Sequence, residues 1–114
     1  MSEFNVVKKG NLLFEEGDYP DAMYIVRSGQ FSIFVRDGEV EKEVSLAGPG
    51  SLIGEMSLFD KKLRSAGARA KTDSSVVVLP YQQLEKQLET LPEWVRITMK
   101  TLSEKLRTTN KKFF

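Results

Sequence analysis

Gly50-Ser51-Leu52-Ile53-Gly54-Glu55-Met56-Ser57-Leu58-Phe59, followed by Arg64-Ser65-Ala66-Gly67-Ala68-Arg69-Ala70, is the stretch on which the reading of this chain turns. Glycine lets a backbone approach a bound group closely, and a short helix starting at Glu55 points unpaired N–H groups at an anion. Arg64, nine residues beyond Glu55, adds a planar cation with paired donors. The segment reads as an anion-holding ligand site.

Outward from it, residues 5–79 read as short strands separated by turn signals. The apolar runs are Leu12–Phe14, Met23–Val26, Phe31–Val35, Val44–Leu46 and Val76–Leu79; between them stand Gly10, Gly17-Asp18, Gly29, Asp37-Gly38 and Gly48-Pro49-Gly50. Phe31, Ile33 and Val35 alternate with Ser32, Phe34 and Arg36, the period of a strand. Asp37-Gly38 predicts a tight hairpin with both central residues at positive φ. Many short, glycine-punctuated strands argue for a closed or nearly closed antiparallel roll or sandwich.

After Pro80 the period changes. Leu84 and Leu88 predict a short amphipathic helix over 81–90, and Pro92 with Glu93 suits the first turn of a longer one. Val95, Met99, Leu102 and Leu106 form a stripe at helical spacing, continued by Thr109 and Phe113. Packing of that stripe on the roll, in a monomer, is the expectation preferred over pairing of two copies through it. The basic cluster Lys100, Lys105, Arg107, Lys111 and Lys112 reads as a solvated face that suits the helix C-terminus.

The chain has 114 residues, 40% hydrophobic and 29% charged, which predicts one ordinary domain over 1–114. A net charge of +1 gives no general reason to bind nucleic acid or an acidic membrane. Met1–Val7 lacks a signal-peptide run and no stretch is apolar enough to span a bilayer, so a soluble, cytoplasmic chain is expected. Cysteine and histidine are both absent, which removes the commonest metal ligands and the commonest general base. No enzyme, metal site or catalytic residue is expected, and a metal-dependent β-barrel enzyme is disfavoured for the same reason.

The glycine-punctuated strands (Gly10, Gly17-Asp18, Tyr24, Gly29), Gly50 and Gly54-Glu55 with Leu58, the spaced Arg64-Ser65-Ala66 run and the following helical pair together resemble the cyclic nucleotide-binding domain family, over roughly Lys8–Asn110. The resemblance implies a mainly β fold: an antiparallel, jelly-roll-like β-roll over about 5–80, a short phosphate-binding helix, and a C-terminal helical pair over about 81–112. It implies that Arg64 pairs with a cyclic phosphate, Ser65 adds a hydroxyl or amide, and the amides of Met56 and Ser57 complete the cradle. Glu55 is implied as acceptor for the ribose 2′-hydroxyl, Gly54 as space for the sugar, and Leu52, Ile53 and Leu58 as walls. Removing Arg64 is then expected to weaken ligand binding and leave the fold nearly unchanged.

Three positions depart from the family pattern. Leu63 stands where many members have proline, which predicts a less rigid loop. Gly67 stands where a larger residue is common, which predicts a gap near the base. Ala66 lacks the hydroxyl that the family associates with cyclic GMP, so cyclic AMP is expected first and cyclic GMP second. Thr109 and Asn110 fall where bacterial regulators of the family contact the base. The implied function is a sensor that transmits nucleotide occupancy through its C-terminal helices to an effector domain in the same chain or to a separate protein, with no cofactor beyond the nucleotide. The alternative is a ligand-free member of the fold acting as a protein-interaction domain. The abrupt Phe113-Phe114 ending suggests a piece of a longer protein.

Overall fold

The computed structural model describes the backbone of residues 3–113 and the side chains of residues 4–105. Eight strands form two four-stranded antiparallel sheets. The first has the order β1-β8-β3-β6, with β1 Glu3–Val7, β3 Ala22–Ser28, β6 Leu52–Ile53 and β8 Ser74–Pro80. The second has the order β2-β7-β4-β5, with β2 Leu12–Phe14, β4 Phe31–Asp37, β5 Val40–Ala47 and β7 Gly67–Ala70. Between β6 and β7 lies α1, Ser57–Asp60; α2, Tyr81–Leu88, and α3, Glu93–Phe113, follow the roll. The mainly β roll with C-terminal helices is thus as the sequence indicates.

The core between the sheets is built by Val7, Val26, Phe31, Ala47, Ile53, Ala68, Ala70 and Val76. These residues come from both sheets, so neither sheet is complete without the other. Strand β1 lies outside the apolar runs read from the sequence. It forms because β8 offers a continuous antiparallel edge, Glu3 to Val7 pairing with Val78 to Ser74. The β4–β5 hairpin sits one residue later than expected: Asp37 still pairs with Val40, and Gly38 alone carries a positive φ, of 65°. Glycine at the first central position suits a type II′ turn.

The strict alternation of β4 also yields to the structure. Its register with β5 shifts between Ile33 and Phe34, so that Ile33 faces Ser45 while Phe34 faces Glu43 and Val44 is left over as a bulge. Phe31 and Phe34 lie on opposite faces of the sheet, yet both are 0% exposed. Phe31 belongs to the core, whereas Phe34 lies beneath the guanidinium groups of Arg36 and Arg69, 5.3 and 5.8 Å from its ring centre. Glu15 and Glu41 in turn hold Arg36, and Glu41 also holds Arg69.

Helix α3 departs most from expectation. Met99 and Leu102 are 37% and 56% exposed while Val95 is half-buried, so the roll leaves the middle of the stripe uncovered. Glu93, Arg96, Ile97 and Lys100 of α3 share a cleft with Leu58 and Phe59 of α1, and Ser103 further along α3 is buried. Leu106, Thr109 and Phe113 have side chains outside the described residues. Among the described residues, no helix is long and apolar enough to cross a membrane.

The ionic cover over Phe34 gives a pH prediction. Hydrogen bonds from Arg69 hold the Glu41 carboxyl below its ordinary range. A depressed folded-state pKa stabilises above the unfolded value and is lost as pH falls through the folded one. Glu41→Gln is expected to cost about 0.5–1 kcal/mol at pH 7, the scale of a partly exposed pair. Urea titrations should show that difference shrinking as pH falls through and below the ordinary carboxylate range; a difference that stays constant as the pH is lowered would count against it.

Candidate functional site

The site begins where β6 ends. Ile53 pairs with Tyr24, and Gly54 then turns the chain out of the sheet with φ of 82°, a conformation that favours glycine. Glu55 and Met56 form the turn before α1, with the Leu58 amide donating to the Glu55 carbonyl at 3.2 Å. The helix therefore starts at Ser57, two residues after the expected start at Glu55. It lasts four residues because Lys61 adopts a left-handed conformation, φ 57°.

Arg64 is fixed twice over. Its backbone amide donates to Asp18 O at 2.9 Å and its carbonyl accepts from the Gly17 amide at 2.8 Å. These two bonds tie the segment to the Gly17-Asp18 turn, so Leu63 in place of proline does not leave the loop loose here. The side chain turns inward and the residue is only 4% exposed. Its Nη2 donates to Ala22 O at 2.6 Å; its Nη1 donates to Gly54 O at 3.2 Å and to the Tyr81 hydroxyl at 3.1 Å. The Tyr81 hydroxyl itself donates to Gly54 O in a short hydrogen bond. The Phe14 ring stacks on the guanidinium, with Cζ 4.2 Å from the ring centre.

Two features leave this cation incompletely satisfied. Its Nε is buried and has no hydrogen-bond partner. Among the described residues, Asp21 is the carboxylate paired with it, at 3.8 Å, and the Asp21 side chain is 86% exposed. A solvated carboxylate at that distance offsets little of the cost of burying a charge. Neutral carbonyls supply dipoles, not a counter-charge, so the site favours an anion. The nearby phenols stay neutral: burial pushes both Tyr24 and Tyr81 above the ordinary tyrosine value, Asp21 adds to the shift of Tyr24, and Arg64 opposes both.

A cleft of about 200 Å³ opens against this arginine. It brings together Gly54, Glu55, Met56, Ser57, Arg64, Ser65 and Ala66, with Leu52 and Ile53 in its wall. Leu58 instead packs with Met23 and Tyr81 in a separate apolar cluster. Thr109 and Asn110 lie outside the residues whose side chains are described. Sequence reading missed Phe14, Ile33, Val44 and Ser45, which complete the cleft from the second sheet, and Tyr81, which holds the arginine. Val44 lines it as the bulged residue of β5.

Two expectations change. The space beside Gly54 is occupied by the arginine: a Cβ there would overlap Nη1 and lie 3.3 Å from Cζ. The expected gap at Gly67 is filled by Phe34, whose Cε2 would lie 2.8 Å from a Cβ at that position. Nor is Arg64 dispensable to the fold, since its side chain joins β3, the turn after β6 and α2. Arg64→Ala is expected to lower the unfolding free energy by about 2–4 kcal/mol, because it takes this donor from the buried Ala22 carbonyl and leaves a cavity beneath Phe14. Chemical denaturation checks this, and a change below about 0.5 kcal/mol, the level of an ordinary surface substitution, would show the contacts to be inert. Gly67→Ser should likewise destabilise by about 1–3 kcal/mol through overpacking against Phe34.

Comparison with known proteins agrees with this geometry. Residues 4–90 match the model of the cyclic nucleotide-binding domain. The chain is 35% identical over 100 residues to the cyclic AMP receptor protein of Thermus thermophilus, covering 87% of this chain and 46% of that protein. It is 32% identical over 104 residues to a CRP-like cAMP-activated global transcriptional regulator of Mycobacterium tuberculosis, covering 90% and 46%. The chain thus spans about half the length of these curated relatives. Among solved structures, the cAMP-bound form of the EAL enzyme Bd1971 superposes with a TM-score of 0.86 at 30% identity, covering 96% of this chain and 29% of that one. The catabolite activator protein of Thermus thermophilus gives 0.79 at 31% identity, covering 98% and 53%.

Proposed function

Because the chain belongs to the cyclic nucleotide-binding domain family, we propose that the Arg64 cleft takes a 3′,5′-cyclic purine nucleotide, cyclic AMP in preference to cyclic GMP, and serves as a regulatory sensor. The observation that carries this is the buried guanidinium with an unpartnered Nε and, among the described residues, no buried counter-ion. A cyclic phosphate supplies the missing charge and an acceptor for Nε–H, in a setting where water competes weakly. Glu55 faces the same cleft and is assigned to the ribose 2′-hydroxyl, a group that accepts and donates. Met56, Ser57 and Ser65 border the phosphate, and Ala66 offers no hydroxyl to a guanine, which favours adenine. Thr109 and Asn110 remain the candidates for base contact.

The two departures that motivated a ligand-free interaction domain lose their weight, since Phe34 fills the space at Gly67 and the Gly17-Asp18 turn restrains Arg64. Residues 1–114 are proposed to act as one sensing domain whose helices report to an effector, in the same chain or on a separate partner. The exposed Met99 and Leu102 remove the reason to prefer a monomer; a second copy packed along this stripe buries them, and light scattering reports the resulting mass.

The test is calorimetric titration with cyclic AMP and cyclic GMP. Binding of cyclic AMP is expected, and Arg64→Lys should weaken it by about 1.5–3 kcal/mol, because a lysine keeps the charge and loses the planar fork. Heat with neither nucleotide at millimolar concentration would overturn the sensor reading. Unchanged affinity in the lysine variant would instead remove Arg64 from the phosphate.

A further inference from the structure

Tyr81 is the first residue of α2, yet its hydroxyl lies in the ligand cleft's supporting network. It accepts from Arg64 Nη1 and donates to Gly54 O, while Nη1 donates to that same carbonyl. These three groups close a small ring of hydrogen bonds. The phenol ring packs with Met23 and Leu58, and the Arg64 Cζ lies 5.8 Å from its centre. Beside it, Lys61 at the end of α1 pairs with Glu85 of α2. The arginine, the turn after β6 and the first helix of the tail therefore meet at one hydroxyl.

We propose that Tyr81 is a positioning residue: its hydroxyl orients the Arg64 guanidinium through Nη1 and couples that arginine to α2. The proposal deepens the sensor reading and rests on Arg64 as the anion anchor. Restricting a guanidinium before an anion arrives lowers the ordering cost of binding. The same bond makes the orientation of Arg64 and the seat of α2 interdependent, so a ligand that prefers one arrangement biases both. A tyrosine serving only as packing would not need its hydroxyl.

Tyr81→Phe isolates that hydroxyl, because it keeps the ring and its apolar neighbours. In the ¹⁵N-labelled protein, the Arg64 Nε–H proton should exchange with water about tenfold faster in the variant, since the side chain samples open arrangements more often. An unchanged exchange rate overturns the proposal, whether or not any nucleotide binds. With cyclic AMP as probe, Tyr81→Phe should weaken affinity about three- to tenfold, the scale of one hydrogen bond. In an Arg64→Lys background the same change should cost less than about twofold, because the two residues act as a unit. An equal loss in both backgrounds overturns the coupling. Absence of cyclic AMP binding by the wild type would overturn the sensor reading alone, and the exchange rate would still decide the role of Tyr81.

Discussion

The burial of one guanidinium organises this molecule. Arg64 is drawn inside by two backbone bonds to the Gly17-Asp18 turn, and its side chain then satisfies carbonyls at Ala22 and Gly54. Those groups belong to different elements, so the arginine is a cross-brace as well as the proposed anion anchor. Burying a full charge against dipoles alone is costly. That cost is the physical basis of the anion-binding role proposed for it, and under that proposal stability and ligand affinity cannot be tuned independently at this position.

The seam that carries Arg64 back into the roll is fixed by a second constraint. Gly67, three residues later, opens β7 directly opposite Phe34. Only a residue without a side chain lets β7 approach this ring, which lies on the outer face of its sheet and is covered by Arg36 and Arg69. A family-level reading takes a small residue there as lost contact with a ligand base. In this chain the missing side chain is repaid by an aromatic from the neighbouring strand, so its consequence is structural.

What was legible in the sequence is what is local. The turn glycines, the helix breaks at Pro80 and Pro92, and the contiguous residues 54–57 and 64–66 all follow from short-range pattern, and the structure gathers the latter into one cleft. Phe14, Ile33, Val44 and Ser45 come from segments far away in the chain, and no spacing rule links them to Arg64. The bulge at Val44 depends on register with β4, which alternation within either strand does not contain. Tyr81 read only as the first residue of the helix after Pro80, a helix inferred from Leu84 and Leu88; its hydroxyl's partners lie 17 and 27 residues away. The α3 stripe shows the converse limit. Periodicity identifies a face that favours burial, and says nothing about which surface covers it.

Linkage then constrains how such a site and its tail can communicate. If the Tyr81 hydroxyl joins Arg64 to α2, any effector contact that shifts α2 must change anion affinity by the same factor with which the anion shifts α2. The coupling through that bond is bounded by the bond's net worth, roughly the three- to tenfold scale of one hydrogen bond. A larger response requires contributions from the apolar cluster of Met23, Leu58 and Tyr81, which packs α1 against α2 through the same residue. Polar orientation and apolar packing thus act on one side chain.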